Sequence, residues 1–163
     1  MAGKKSQQSN KKDTQNMVVC RNRRARHNYE IVDEVDCGIV LVGSEVKSIR
    51  DGRISIDEAF ARIERGELFL YNVDISEYAQ ASYLNHERHR VRKLLLKKRE
   101  LDKIAEPALQ KGMTLVPLEV FFSRGFVKVK IAVARGRKEY DKREKIKKNQ
   151  DQKTLREAVR KRV

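Results

Sequence analysis

The chain has 163 residues, of which 39% are hydrophobic and 37% charged, and it carries a formal net charge of +15. Less two polar ends, that length holds one domain of about 100 residues and a single core. No stretch approaches the roughly 18 apolar residues of a membrane-crossing helix, and MAGKKSQQSNKKDTQN has no apolar segment after its lysines, so a cytoplasmic protein with no membrane partner is expected. Cys20 and Cys37 are too few for a disulfide framework and form no CxxC pair. Reduced thiols follow, with Cys37 a small core residue.

The charge is unevenly placed. Residues Met1 to Asn28 contain 8 Lys/Arg and 1 Asp/Glu, and Arg135 to Val163 contain 13 and 5, whereas Tyr29 to Ala134 balance 17 against 17. A neutral body between two cationic arms points to a polyanionic partner, because each phosphate neutralised by Lys or Arg releases condensed counterions. Solubilising tails are the plainer alternative.

In chain order, residues 1–20 are rich in Lys, Gln, Asn and Ser and are expected to be a disordered basic extension. A basic patch, Asn22 to Tyr29, follows, with Arg26 a cation toward RNA and His27 readable as either a nucleic-acid contact or a hydrogen-bonded surface residue. From Tyr29 to Val42 apolar residues alternate with Glu30, Glu34 and Asp36, predicting a long strand that Gly38 can bend. Ser44 is placed to cap a helix over Glu45 to Arg50, ended by Asp51-Gly52. Strands are predicted over Ala59 to Glu64 and Glu67 to Ser76, then a polar loop over 77–91.

A helix is predicted from about Arg92, with Leu94, Leu101, Ile104, Ala105 and Ala108 on one stripe and Pro107 near its end. Leu95 falls at the edge of that stripe, either exposed toward a partner or packed beneath the loop. Strands over Thr114 to Phe122 and Phe126 to Ala134 are joined by Ser123-Arg124-Gly125 as a three-residue hairpin, and Pro117 requires an edge or a bulge. In the last strand Val127, Val129, Ile131 and Val133 face a core while Lys128 and Lys130 face out.

Antiparallel strands with inserted helices and no βαβ alternation predict a mainly β fold. The expected form is a small oligonucleotide-binding (OB)-like barrel over 21–135, with a basic tail over 136–163. No Gly-rich phosphate loop, GxSxG or HExxH motif occurs. His86 and His89 lack ligand partners at metal spacing, so no enzyme, metal site, cofactor or small-molecule substrate is expected.

Four segments in one order, NRRARHNYEI, GSEVKSIRDG, RKLLLKKREL and VKVKIAVARGRKEYDKRE, together resemble the small protein B family, the SsrA-binding proteins of bacteria. The resemblance covers about Asn22 to Glu144, and the N-terminal extension is long for that family. It implies an OB-like barrel that binds the tRNA-like domain of transfer-messenger RNA and delivers it to stalled ribosomes for trans-translation. The family's RNA-binding positions fall on Asp36, Leu95 and Lys128. Its second region matches Gly136 to Glu144, where Tyr140, Asp141, Lys142 and Arg143 would enter the decoding site formed by small-subunit rRNA. Some members carry histidine where Tyr140 stands, and either ring can stack on a base. Lys145, Lys147 and Lys148 continue the cationic tail. From about Lys138 it is expected to be disordered in the free protein and helical in the mRNA channel. The alternative is a general RNA chaperone or ribosome-associated RNA-binding module.

Overall fold

A computed structural model describes residues 16–81, 83–137, 146–150 and 152–153. The elements run β1 (Met17–Arg21), α1 (Arg23–Asn28), β2 (Tyr29–Ile39), α2 (Gly43–Arg50), β3 (Ile54–Ser55), β4 (Phe60–Glu64), β5 (Glu67–Tyr71), β6 (Asp74–Ile75), β7 (Arg92–Leu95), α3 (Lys98–Ala108), β8 (Met113–Ser123) and β9 (Phe126–Gly136). The antiparallel order β8-β4-β5-β7-β2-β9 closes on itself through β8–β9, so the expected small barrel forms. β1 lies against β8 outside the ring, and β3 and β6 make a separate pair.

Period-two alternation explains the two sides of the wall. Val127, Val129, Ile131 and Val133 of β9 point into the barrel and pack with Leu68, Leu70, Leu94 and Ile104. On the outer face Ala132 and Ala134, with Val116 and Leu118 of β8, receive Ala25 of α1 in a second cluster. Small alanines at those positions let the helix lie close. Asn22 fixes its start: Oδ1 accepts the Ala25 N–H at 2.8 Å and Nδ2 donates to the Ile56 carbonyl at 2.9 Å. α1 therefore covers one half of the outer face of β2-β9-β8 and leaves the other half open.

Several expectations are corrected. Met17–Arg21 is a strand, not part of a disordered extension, because Val18 and Cys20 pair with Phe121 and Val120 and gain an apolar neighbourhood that the local sequence does not announce. The predicted helix from Arg92 begins only at Lys98. Arg92–Leu95 is instead the strand that joins β5 to β2, where Leu94 pairs with Leu68 and Ile39. Closing the ring outweighs the local helical period there. Ser44 does not cap α2; the Glu45 carboxylate accepts the Val42 N–H at 2.9 Å, and the helix starts at Gly43. The β8–β9 turn has two residues, not three, since Ser123 pairs with Phe126 and both Arg124 (φ 52) and Gly125 (φ 80) are left-handed.

The two proline expectations hold, whereas the bounds of the first long strand and the place of its bulge do not. Pro107 sits in the last turn of α3, and Pro117 precedes a register shift between Pro117 and Glu119, which is a bulge in a strand paired on both sides. The strand from Tyr29 ends at Ile39, and its bulge lies between Ile31 and Asp33; at Gly38 the strand instead passes from β9 to β7, pairing with Lys128 on one side and Leu95 on the other. Tail residues 146–150 and 152–153 are helical and exposed.

Candidate nucleic-acid interface

Strand register brings three of the family-matched residues into one neighbourhood. Gly38 of β2 faces Lys128 across one ladder and Leu95 across the other, so Lys128, Gly38 and Leu95 form a row over three strands. Asp36 stands two residues along β2, on the same face, opposite Lys130. Gly38 opens the centre of this row: a Cβ there would come within 3.4 Å of the Leu95 Cβ, and any longer side chain would cover the gap between Leu95 and Lys128. Leu95 is 50% exposed although its neighbour Leu94 is 2% exposed, the alternation of a strand and not of a helix edge.

The two lysines differ in what they can offer. Lys130 Nζ lies 3.0 Å from Glu119, whose other oxygen is 3.7 Å from Arg21 Nε. The hydrogen bond to Glu119 holds the Lys130 ammonium above its ordinary value. Its charge is already shared. Lys128 has no ion-pair partner among the described residues and stands half-buried, its stem on the sheet, so its charge is available to a phosphate.

Arg26 and His27 belong elsewhere. They occupy the last turn of α1, where Tyr29 pairs with Gly136 and the Arg137 N–H donates to the Asn28 carbonyl at 2.9 Å. The seven steps along the strand from Tyr29 to Asp36 span roughly 23 Å, so these two side chains lie beside the root of the tail and not beside Lys128. Of the tail residues, Gly136 is the exposed end of β9, and Lys147 and Lys148 are exposed on the helical stretch. Tyr140, Asp141, Lys142, Arg143 and Lys145 lie outside the described residues.

A buried charge cluster, not anticipated from the sequence, sets the end of this face. Arg92 and Glu45 are both 0% exposed. Arg92 Nε donates to Glu45 at 2.9 Å, Nη1 to the Val73 and Arg90 carbonyls, and Nη2 to the Glu87 and Arg88 carbonyls, which uses all five guanidinium donors. Arg90 adds a bidentate contact to Glu45 at 2.7 and 2.6 Å. Burial alone would raise the Glu45 carboxyl, but the two guanidinium groups and the Val42 N–H outweigh it and hold the group below its ordinary value. One arginine thus fixes β7 against α2 and gathers the irregular 77–91 segment. Alternating charge in RHRVRK gave no sign of which arginine turns inward.

No group of three or more His, Cys, Asp or Glu among the described residues could hold a metal ion, and none of the described helices is long and apolar enough to cross a membrane. The face can accept an anion, offer an apolar surface to a base or sugar, and accept a hydrogen bond at Asp36. The SmpB protein family matches residues 19–161. The SsrA-binding protein of Syntrophobacter fumaroxidans is 46% identical over 138 residues, 85% of this chain and 86% of the relative. That of Enterococcus faecalis is 50% identical over 133 residues, 82% and 86% of the two chains. A chain of the solved structure described as "tmRNA-SmpB: a journey to the center of the bacterial ribosome" aligns with a TM-score of 0.63 at 49% identity, covering 74% of this chain and 85% of that one.

Proposed function

Since the chain belongs to the SmpB protein family, we propose that it binds the tRNA-like part of transfer-messenger RNA and carries it to stalled ribosomes for trans-translation, working in the cytosol. It is an RNA-binding protein and not an enzyme. The observation that carries this reading is the register that sets Lys128, Gly38 and Leu95 in one row with Asp36 beside it on an open sheet face. Lys128 meets phosphate, Leu95 gives apolar contact, and Asp36 accepts from a ribose hydroxyl or a base amino group, which offsets its repulsion of the backbone. The cationic tail, with Arg26 and His27 at its root, is the second functional part and addresses small-subunit rRNA at the decoding site and the message channel.

Recovery of RNA bound to the tagged full chain in bacterial cells tests this reading. One dominant structured RNA, lost when Lys128 is replaced by Ala, is expected. Many unrelated RNAs, retained by the variant, would favour a general RNA chaperone.

A further inference from the structure

Beyond Leu95 the same sheet face does not stop. The Val40 N–H donates to the Lys93 carbonyl at 3.0 Å, continuing the β2–β7 ladder past Gly38. Val40, Val91 and Val42 are 45%, 46% and 47% exposed along this edge. The strip leads to a groove of about 510 Å³ lined by Val42, Lys47, Tyr78 and Leu84 among others. Beside it Tyr83 is 90% exposed and Leu84 77% exposed.

Such exposure belongs to a segment that is otherwise tightly built. The Asn85 side chain accepts the Tyr78 N–H at 3.1 Å and donates to the Tyr78 carbonyl at 3.0 Å. The His86 ring is held between Ser44 Oγ at 2.9 Å and the Ile75 carbonyl at 3.0 Å. Arg92 gathers the carbonyls of residues 87, 88 and 90. The chain on the C-terminal side of Tyr83 and Leu84 is thus fixed, and presenting a ring and a leucine to water from it costs exposed apolar area without any folding gain. Lys47 Nζ lies 5.4 Å from the centre of the Tyr78 ring, and Arg50 follows one turn later, exposed. Beneath the groove Glu45 is outnumbered by Arg90 and Arg92, so the buried cluster adds positive charge.

Resting on the function proposed above, we propose that the RNA-binding face extends from Leu95 along Val40 and Val91 to this groove. There Tyr83, Leu84 and Tyr78 take unpaired bases of the same RNA, with Lys47 on the adjoining phosphate. Continuity with the Lys128–Gly38–Leu95 row and the surrounding cations argue for nucleic acid, and flat rings beside cations suit stacking without base-specific hydrogen bonds.

The chain has no tryptophan, so Tyr83→Trp places a single reporter at the site in the full chain. Titration with the isolated tRNA-like portion of transfer-messenger RNA should quench it at one equivalent. Leu109→Trp, at the 87% exposed residue that ends α3, should keep its signal. Tyr83→Ala with Leu84→Ala should weaken binding about tenfold or more with an unchanged melting temperature. Lys47→Ala should lower the salt slope of log K by about 0.7. If Tyr83→Trp reports nothing and the double variant binds as wild type while Lys128→Ala binds weakly, the extension is wrong and the proposed function stands. Loss of ribosome association with RNA affinity unchanged would also overturn the extension, by assigning the groove to a different partner. If the wild type does not bind the RNA, both readings fail.

Discussion

Two side chains that look alike in sequence, Lys128 and Lys130, are separated by a neighbour 11 residues away in the chain. Glu119 lies opposite Lys130 and takes its charge, whereas Lys128 stands opposite Phe121 and Gly38. Lys128→Ala should therefore weaken binding of the tRNA-like RNA and reduce the salt slope by roughly 0.7 to 0.9, with the melting curve unchanged. Filter binding at several salt concentrations reads both quantities. Leu95→Ala should lower RNA affinity and cost well under the 2 to 5 kcal/mol of a buried leucine, since half of it is already in water; Leu94→Ala should show the full cost. Cys37 is a different case. Burial pushes its thiol up to about 12, and Asp36 and Glu100 add to the shift, so it stays protonated and enclosed. Iodoacetamide at pH 7.5 should modify the half-buried Cys20 before Cys37, and Cys37 should react only on unfolding, as mass spectrometry of the native and denatured protein would show.

Among the elements, β9 and the tail are expected to divide the work. The β2–β9 and β8–β9 ladders are complete by Gly136, so removal of residues 139–163 should leave the melting temperature and the affinity for the isolated RNA unchanged. The same deletion should abolish tagging of stalled chains in a reconstituted translation assay. Loss of RNA binding with the tail would contradict this division. Residues 146–150 and 152–153 are helical and exposed, and a short charged helix is marginal in water because nucleation is costly. We propose that the tail works as a helix in the message channel. Lys153→Pro with Glu157→Pro should then reduce tagging sharply, by tenfold or more, while alanine at both positions does much less. Equal tagging by the two pairs would show that charge alone suffices. Loop 77–91 was legible as a polar segment, yet its anchors were not, because an arginine and a histidine that turn inward obey no local period.

For the molecule as a whole, the charge distribution predicts how stability responds to acid. Glu45 is held below its ordinary value of 4.5 by Arg90 and Arg92 against the opposing pull of burial. Asp74 is held below 3.8 chiefly by its hydrogen bond from Arg88, and Asp33 below 3.8 by its bond from Lys103. A carboxylate depressed in the folded state contributes stability above its unfolded value and loses it as pH falls through the folded one. The unfolding free energy should thus be flat from about pH 8 to 5 and fall below about pH 4.5. Glu45→Gln leaves the buried Arg92 guanidinium and the partly exposed Arg90 with one neutral partner and should cost about 3 to 5 kcal/mol at pH 7. It should also flatten the acid branch, which urea unfolding at a series of pH values would measure.

What the sequence determined by itself was whatever repeats locally or sums over the chain. The inward valines of β9 and the Leu101–Ile104–Ala108 stripe of α3 depend only on spacing and survive in the structure, and the neutral body and basic ends depend only on composition. Tertiary structure decided the rest. Whether RKLL is helix or strand turns on the need to close a ring between β5 and β2, which no window of neighbouring residues records. The placement of β1 depends on the free edge of β8, about 100 residues further on. Asp36, Leu95 and Lys128 become one face only because Gly38 pairs with both other strands, and the sides of a sheet residue are filled by chain segments distant in sequence. Burial of Arg92 follows from the same distance effect: five donors are satisfied by carbonyls and a carboxylate from three separate segments, and their convergence exists only after folding.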